Sequence, residues 1–600
     1  MSRPPAPALT QTAVRFSAVF LALLFAPRPA AGFGTDFGGS DFKLRFDNTL
    51  RGNLGVRVTS PDPIIGANPA FSAGEYSFGQ GHIDTGRLDL LTELDLSYRS
   101  QFGGRASFAS WFDGAYRNHA VHIAPSLEAQ HVPTSYGPAG SPFTTYTNNR
   151  YLGPYGEFLD AFLWTRLDLG DVPVTIRGGR HTIYWGESLL LSGAIHGVSY
   201  AQEPLDLMKA FANPGTEAKE LYRPLAQVSA NVQLTPALSL AGQYFFEWQS
   251  YLYPEGATFL GPADFAFNGP LGQFAMVGGR PVFFKNDGSR DAHTHDWGTA
   301  LRYNPEFLGG GIVGVYYRHF ADKLAAVLLG PNPGGQGPLS PTLNSPLQYQ
   351  QYYGEGIDLV GVSFAKQILG VSTAIEGSYR HNMPLAAQPL GLTVAPSAAL
   401  APVLFPHGAP KLMGNTYQAR GDTVHVVGNA IGTIPNTPLW SIAAWNLEGT
   451  YSRWLSVDST NQDMFFGEGY GVCRTDARLS AAGLAKTTAD GCATRNSASV
   501  GATFTPTWYQ VFSGVDLLMP LTGSATVWGN SPVTLGGNVG SGTYAGGLAA
   551  DIYTTVRIDL KYVGFFGQTH DNGTVITNSN GLLSLLKNRE SVVLTAKVTL

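Results

Sequence analysis

Apolar and polar side chains alternate along most of this chain, and a period of two puts successive side chains on opposite faces of a strand. Val556, Ile558, Leu560 and Tyr562 alternate with Arg557, Asp559 and Lys561. Leu88, Leu90, Leu94, Leu96 and Tyr98 do so with Asp89, Glu93, Asp95, Ser97 and Arg99, and Leu50, Leu54, Val56 and Val58 with Arg51, Asn53 and Arg57. The pattern predicts strands near 45–58, 86–100, 102–113, 157–169, 172–183, 225–234, 237–248, 296–304 and 310–320. Others follow near 355–366, 370–381, 416–430, 440–454, 497–510, 514–528, 542–553, 556–566 and 590–600. That makes about eighteen strands of ~10 residues or more, with sixteen as the alternative.

The links between them are lopsided. Short ones include Asp168 to Asp171, Thr235-Pro236 and Ser513-Gly514; long ones include 59–86, 114–154, 184–224, 249–295 and 455–496. Short turns at one end and long loops at the other are the pattern of an outer-membrane barrel. A closed barrel pairs every backbone group without leaving an edge, which is why lipid tolerates it. The expected fold is therefore all-β: one transmembrane antiparallel β-barrel domain over 33–600, with alternation running through Val592, Leu594, Ala596 and Val598 to Leu600. Tyr244, Trp248, Trp445, Tyr451, Trp508 and Trp528 are expected as interfacial girdles.

Composition removes other classes. Charged residues are 14%, against ~25% in an ordinary soluble domain, and 12% aromatics with 44% hydrophobics exclude disorder. No run of 18 apolar residues exists, so no helical span is expected. Arg3 and Arg15 precede the apolar run Phe16 to Ala26, and Ala30-Ala31-Gly32 offers a cleavage site, so 1–32 reads as a signal peptide. Its removal takes three Arg and no acid, and the formal charge falls from -5 to -8. No nucleic-acid partner is expected of such a chain. The two cysteines, Cys473 and Cys492, flank a long loop and are expected to form an exported disulfide.

Alternation stops after residue 183, where Gly179-Arg180-His181-Thr182-Ile183-Tyr184-Trp185-Gly186-Glu187-Ser188 spans the break. Then come Glu203-Pro204-Leu205-Asp206 and Pro214-Gly215-Thr216-Glu217-Ala218-Lys219-Glu220, with Pro224 before the next strand. Further on stand Gly514-Val515-Asp516-Leu517, the run Tyr562 to Gly567 and Asn588-Arg589-Glu590-Ser591. Together these runs resemble the Gram-negative outer-membrane family known as domain of unknown function 1302, over nearly the whole mature chain. The sequence differs from that pattern at Glu203, where the family has Asn, and in its final Leu600. The resemblance implies an outer-membrane barrel, set among outer-membrane lipid by the barrel-insertion machinery. It also implies hydrophobic solutes, such as lipids or steroid-like and aromatic compounds, handed to a periplasmic carrier.

The segment 184–224 carries a dense ionic cluster, and its helix-compatible stretches Leu205 to Phe211 and Glu217 to Tyr222 are broken by Asn213-Pro214-Gly215. It either projects outward or folds into the lumen; an inward constriction is favoured, because wide barrels leave a lumen that wall side chains do not fill. Arg180, Trp185, Glu187, Asp206, Glu217 and Lys219 are the expected constriction residues. The alternative is a clasp that ties the loop to the wall through an Arg180–Glu187 pair. Lumen charges of both signs are expected from Arg51, Arg57, Asp89, Glu93, Arg99, Asp160, Arg166, Glu376, Arg380, Arg557 and Asp559.

Other chemistry is weak. His293 and His295 could place two imidazoles on one face, but no third ligand is evident, so no metal or cofactor is expected. Ser188 lies near His181 and His196 without a G-x-S-x-G run, and no enzyme is expected. Gly309 to Gly311 precedes no GKS or GKT and reads as a turn; Gly330 to Pro341 reads as an extracellular loop. The expected function is a porin-like channel for small hydrophobic or amphipathic solutes. A non-conducting structural barrel or surface receptor is the alternative.

Overall fold

Each run of two-residue alternation becomes a strand whose apolar face looks outward and whose polar face looks into a lumen. The computed structural model describes residues 33–36, 41–117, 121–129, 143–215, 217–268, 272–277, 280–293, 295–332, 347–388, 391–394 and 397–600. The expected signal peptide, 1–32, lies outside the described residues, as does most of the Gly330–Pro341 tract.

The wall strands are β1 Phe42–Arg57, β2 Ile83–Tyr98, β3 Phe102–Asp113, β4 Tyr155–Leu169, β5 Val172–His181 and β6 Leu225–Thr235. They continue as β7 Leu238–Phe245, β8 Trp297–Tyr303, β9 Ile312–Phe320, β10 Ile357–Ile368, β11 Val371–Pro384 and β12 Arg420–Ile434. The last are β13 Ile442–Val457, β14 Asn496–Phe512, β15, β16 Gly542–Ile552, β17 Val556–Phe566 and β18 Ser591–Thr599. β15 runs in two pieces, Val515–Leu518 and Leu521–Trp528, because Pro520 has no N–H for the ladder.

Neighbours in sequence pair antiparallel, and β18 pairs both with β17 (Val556 opposite Val598) and with β1 (Leu50 opposite Val598). The sheet is thus a closed ring, with eighteen strands and not sixteen. Asn48 and Leu600 exchange backbone hydrogen bonds at 3.0 and 2.7 Å, so pairing extends to the final residue.

The faces are inverted relative to a water-soluble sheet. Leu163 is 72% exposed and Leu447 51%, while Glu448 beside it is 1% exposed. An outward band of this kind suits hydrocarbon. Tyr244 and Trp528 stand exposed, Trp528 stacked with Tyr451, and Trp508 donates to Leu439 O at 2.6 Å near the short-turn end. Trp248 departs from the expected girdle: it donates to Asp322 O at 3.1 Å and packs on Tyr353 among the long loops.

Long loops build a second layer over one mouth. Gly272–Val277, Arg280–Arg290, Ala326–Pro331, Leu347–Tyr352 and Gly391–Leu392 form a separate five-stranded sheet. Cys473 and Cys492 are bonded, S–S 2.00 Å, in the loop after β13. The main hydrophobic core lies inside the barrel, where Ile195, Val198, Leu205, Leu207 and Leu221 meet Tyr251, Tyr253, Tyr316 and Phe320.

Candidate functional site

Past β5 the chain turns into the lumen and crosses it, as α1 Leu191–His196, α2 Leu207–Ala212 and α3 Ala218–Leu221. Asn213-Pro214-Gly215 separates α2 from α3, with Gly215 at φ 85°. Such short helices satisfy few of their own backbone groups, so the wall supplies partners. Glu448 on β13 accepts from Leu189 N (2.6 Å), Leu190 N (3.1 Å) and Gly193 N (3.0 Å). Glu376 on β11 accepts from Glu187 N (2.7 Å) and Val198 N (3.1 Å). Two arginines do the reverse. Arg380 donates to Ile195 O and Gly197 O, both at 3.0 Å, and Arg318 to Val198 O (2.9 Å) and Tyr200 O (2.6 Å). Hydrogen bonds to charged groups contribute ~1.5–3 kcal/mol each, so these four side chains clamp 187–200 against β9–β13. Glycine is required where the carboxylates meet the backbone. A Cβ on Gly193 would overlap the Glu448 carboxylate, and Gly186, at φ 90°, faces Glu376.

Further anchors continue the seam. Lys323 Nζ donates to Ala201 O and Asp296, both 2.9 Å, and Tyr200 OH to Asp322 at 2.7 Å. His196 and His425 share a 3.0 Å Nδ1 contact, and His196 Nε2 meets Gly536 O. Glu203 is fully buried, accepting from Ile183 N (3.0 Å) and Gln227 Nε2 (2.7 Å). Burial pushes its carboxyl well above the usual range.

The structure distributes the expected constriction residues unevenly. Trp185 is 4% exposed, wedged against Gly298 and Tyr316. Arg180 does not pair with Glu187: it contacts Glu247 Oε1 and Pro224 O, each at 3.1 Å, at the start of the crossing. Glu187 has already crossed the lumen, where its carboxylate accepts from Ser363 (3.2 Å) and its carbonyl from Asn429 (2.5 Å). Closeness in sequence was misleading because the chain is extended between the two. Asp206 caps α2 through Lys209 N (2.9 Å), Glu217 is exposed at the N-cap of α3, and the Lys219 side chain lies outside the described ones.

Two expected lumen charges belong elsewhere. Arg57 is fully buried under the loops, 2.5 Å from Glu75, because the links after β1 and before β18 fold over it. Arg99 sits at φ 49° in the short β2–β3 turn, paired with Asp41 at 2.6 Å. Glu93 pairs with Arg105, which also reaches Asp95 (3.1 Å) and Asp160 (3.2 Å); Arg557 meets Asp559 at 3.1 Å. Glu448 and Arg318 were not singled out from sequence. An inward charge on a strand carries no local mark of the segment it holds.

Because the crossing docks on β9–β13, space remains on the opposite wall. A cavity of about 400 Å³ is lined by Arg51, Arg87, Asp89, Lys597, Asp206 and Lys209. It adjoins one of about 180 Å³ where Phe211, Phe259, Phe565 and Met208 face Arg51 and Arg87. Asp89 holds Arg87 at 2.8 Å and Arg51 at 3.6 Å, and Arg51 stands opposite Lys597 in register.

Ser188 and the histidines near it in sequence are not brought together. Ser188 Oγ meets Tyr184 OH and Ser199 Oγ, His181 Nε2 meets Ser229, and His196 faces His425. Among the described residues no cluster of His, Cys, Asp or Glu could hold a metal.

Fold and site together define a closed eighteen-stranded barrel with an inward-docked segment. The chain belongs to the family described as "Protein of unknown function (DUF1302)", which matches residues 13–600. No curated protein matches it. Among solved structures it is similar to OccAB3 of Acinetobacter baumannii (8% identity, TM-score 0.39, covering 93% of this chain and 99% of that one). It is also similar to a BenF-like porin from Pseudomonas fluorescens Pf-5 (6% identity, TM-score 0.39, 93% and 98%). A third is the outer membrane channel DcaP of Acinetobacter baumannii (10% identity, TM-score 0.33, 95% and 100%).

Proposed function

We propose that this protein is an outer-membrane channel for small amphipathic or hydrophobic solutes, with its bore set by the docked segment. The observation that carries this reading is the two-faced lane. Met208, Phe211, Phe259 and Phe565 offer apolar surface beside a mixed-sign row of Arg51, Arg87, Asp89, Asp206 and Lys209. Opposed charges across a narrow, partly dry passage orient a polar solute group, and the aromatic flank takes its apolar part. Trp185 and Glu187 act by seating the segment; Asp206, Lys209, Arg51 and Arg87 meet the solute.

Lys209 is at the lane, its Nζ donating to Glu220 O at 2.9 Å and lying 3.5 Å from Glu220 Oε2. Lys209→Glu is expected to move the cation-to-anion permeability ratio toward cations by at least about fivefold, since a reversed charge ~5 Å from the path changes the ion's energy by on the order of 1 kcal/mol. Reversal potentials in planar bilayers under a salt gradient measure it. An unchanged ratio in a conducting barrel overturns the placement of the path, and a parent barrel that never conducts overturns the channel.

A further inference from the structure

On the channel reading above, one row of the wall sets the sign of the solute's polar group. Asp551, Arg557, Lys597, Arg51 and Asp89 stand directly opposite one another across β16, β17, β18, β1 and β2. Three cations are therefore adjacent, with Lys597 in the middle, and like charges directly opposite in a sheet repel and destabilise it. The wall keeps all three, although the neighbouring inward positions of β18, Thr595 and Thr599, carry short uncharged side chains.

The acids nearby already have partners. Arg557 takes Asp559 at 3.1 Å and Asp551 at 3.4 Å, and Asp89 lies 2.8 Å from Arg87 and 3.6 Å from Arg51. Across the cavity Glu157 is shared by Arg150 (3.0 Å) and Arg223 (2.6 Å), Glu220 lies 3.5 Å from Lys209, and Asp206 accepts from Lys209 N. Above it, buried Asp84 accepts from Ser591 Oγ (2.6 Å), and Asp113 from Gly86 N and Ala115 N (2.9 Å each). Lys597 is the exception: it is exposed to the lumen, and among the described residues no carboxylate pairs with it. Six cations and four carboxylates line this cavity of about 400 Å³, so the excess charge is positive.

Apolar surface lies on one side of Lys597. Val593 is four residues up the same face of β18, about 13 Å away, and shares the adjoining cavity with Val563, Phe565 and Phe211. The Phe565 and Phe211 rings are 6.4 Å apart between centroids. The apolar stem of the lysine spans part of the interval.

We propose that the solute is a monocarboxylate with an apolar body on the order of 10 Å long. Its carboxylate pairs with Lys597 between Arg51 and Arg557, and its body lies toward Val593, Phe565 and Phe211. One uncompensated cation in the row matches a single negative charge.

The test records the full-length barrel in planar bilayers with octanoate, acetate or octyltrimethylammonium added on the long-loop side. In the parent, octanoate should reduce the small-ion current at concentrations about tenfold lower than either of the others. Lys597→Gln should raise the octanoate concentration for half-block about tenfold, the loss of a charge-assisted contact. Its heat-modifiability midpoint should stay at or above the parent's, because repulsion in the row is relieved; a lower midpoint makes Lys597 a structural strut and overturns the proposal. Equal block of the parent by octanoate and octyltrimethylammonium overturns it without any variant, and so does unchanged octanoate block in Lys597→Gln. A conducting parent that octanoate leaves untouched overturns it while the channel stands; a parent that never conducts overturns both.

Discussion

Glu448→Ala should release the docked segment and raise single-channel conductance several-fold while the barrel still assembles. The carboxylate accepts from three backbone donors, Leu189 N, Leu190 N and Gly193 N. Alanine offers nothing in its place, and each buried donor left unpaired costs ~1–3 kcal/mol, so the seam loses about 3–9 kcal/mol. The arginines and Glu376 then hold only the ends of a stretch whose Leu189, Leu190 and Gly193 N–H groups are unpaired. Glu448→Gln retains one acceptor oxygen and should have a smaller effect. Protease access to Lys209 in reconstituted barrels, read beside conductance, separates undocking from loss of the pore. Unaltered conductance and protection would show that Glu448 does not hold the segment.

Glu75→Ala should cost the most stability of any single change at the long-loop mouth. Glu75 is fully buried between two guanidiniums, Arg57 at 2.5 Å and Arg589 at 3.0 Å. Arg57 also donates to Phe78 O (2.8 Å) and Asn588 O (2.7 Å), and Arg589 to Phe259 O and Gly261 O (2.8 Å each). The triad thus ties together the loops after β1 and β7 and the link into β18. Removing the one acid leaves two uncompensated buried cations, a loss of about 3–5 kcal/mol. The heat-modifiability midpoint in detergent gels should fall by several degrees. Replacing all three, as Arg57→Met, Glu75→Leu and Arg589→Met, should recover much of it, because an apolar cluster of similar volume needs no pairing. Equal midpoints for parent and Glu75→Ala would rule the triad out as a strut.

The wall was legible in the sequence because each strand declares itself. A two-residue period needs no distant partner to be seen, and all eighteen strands lie within a few residues of their predicted positions. The break after residue 183 was legible for the same reason. Its partners were not: Glu448 lies 258 residues beyond Leu190 and reads only as another inward charge. Arg57 shows the converse error. Its alternation fits a lumen ring, but at the strand's last residue the loops decide the environment. Arg180 and Glu187 stand seven residues apart in sequence, yet the chain carries Glu187 away to Ser363 and Asn429 while Arg180 stays with Glu247.

The central claim is that the segment after β5 narrows an otherwise open barrel. Single-channel recording in planar bilayers, comparing the parent with a variant whose residues 187–222 are replaced by a short Gly-Ser linker, tests it most directly. The account predicts a small, solute-sensitive conductance for the parent and a several-fold larger, less selective one for the variant. Equal conductance in two assembled barrels, or none in either, would contradict it.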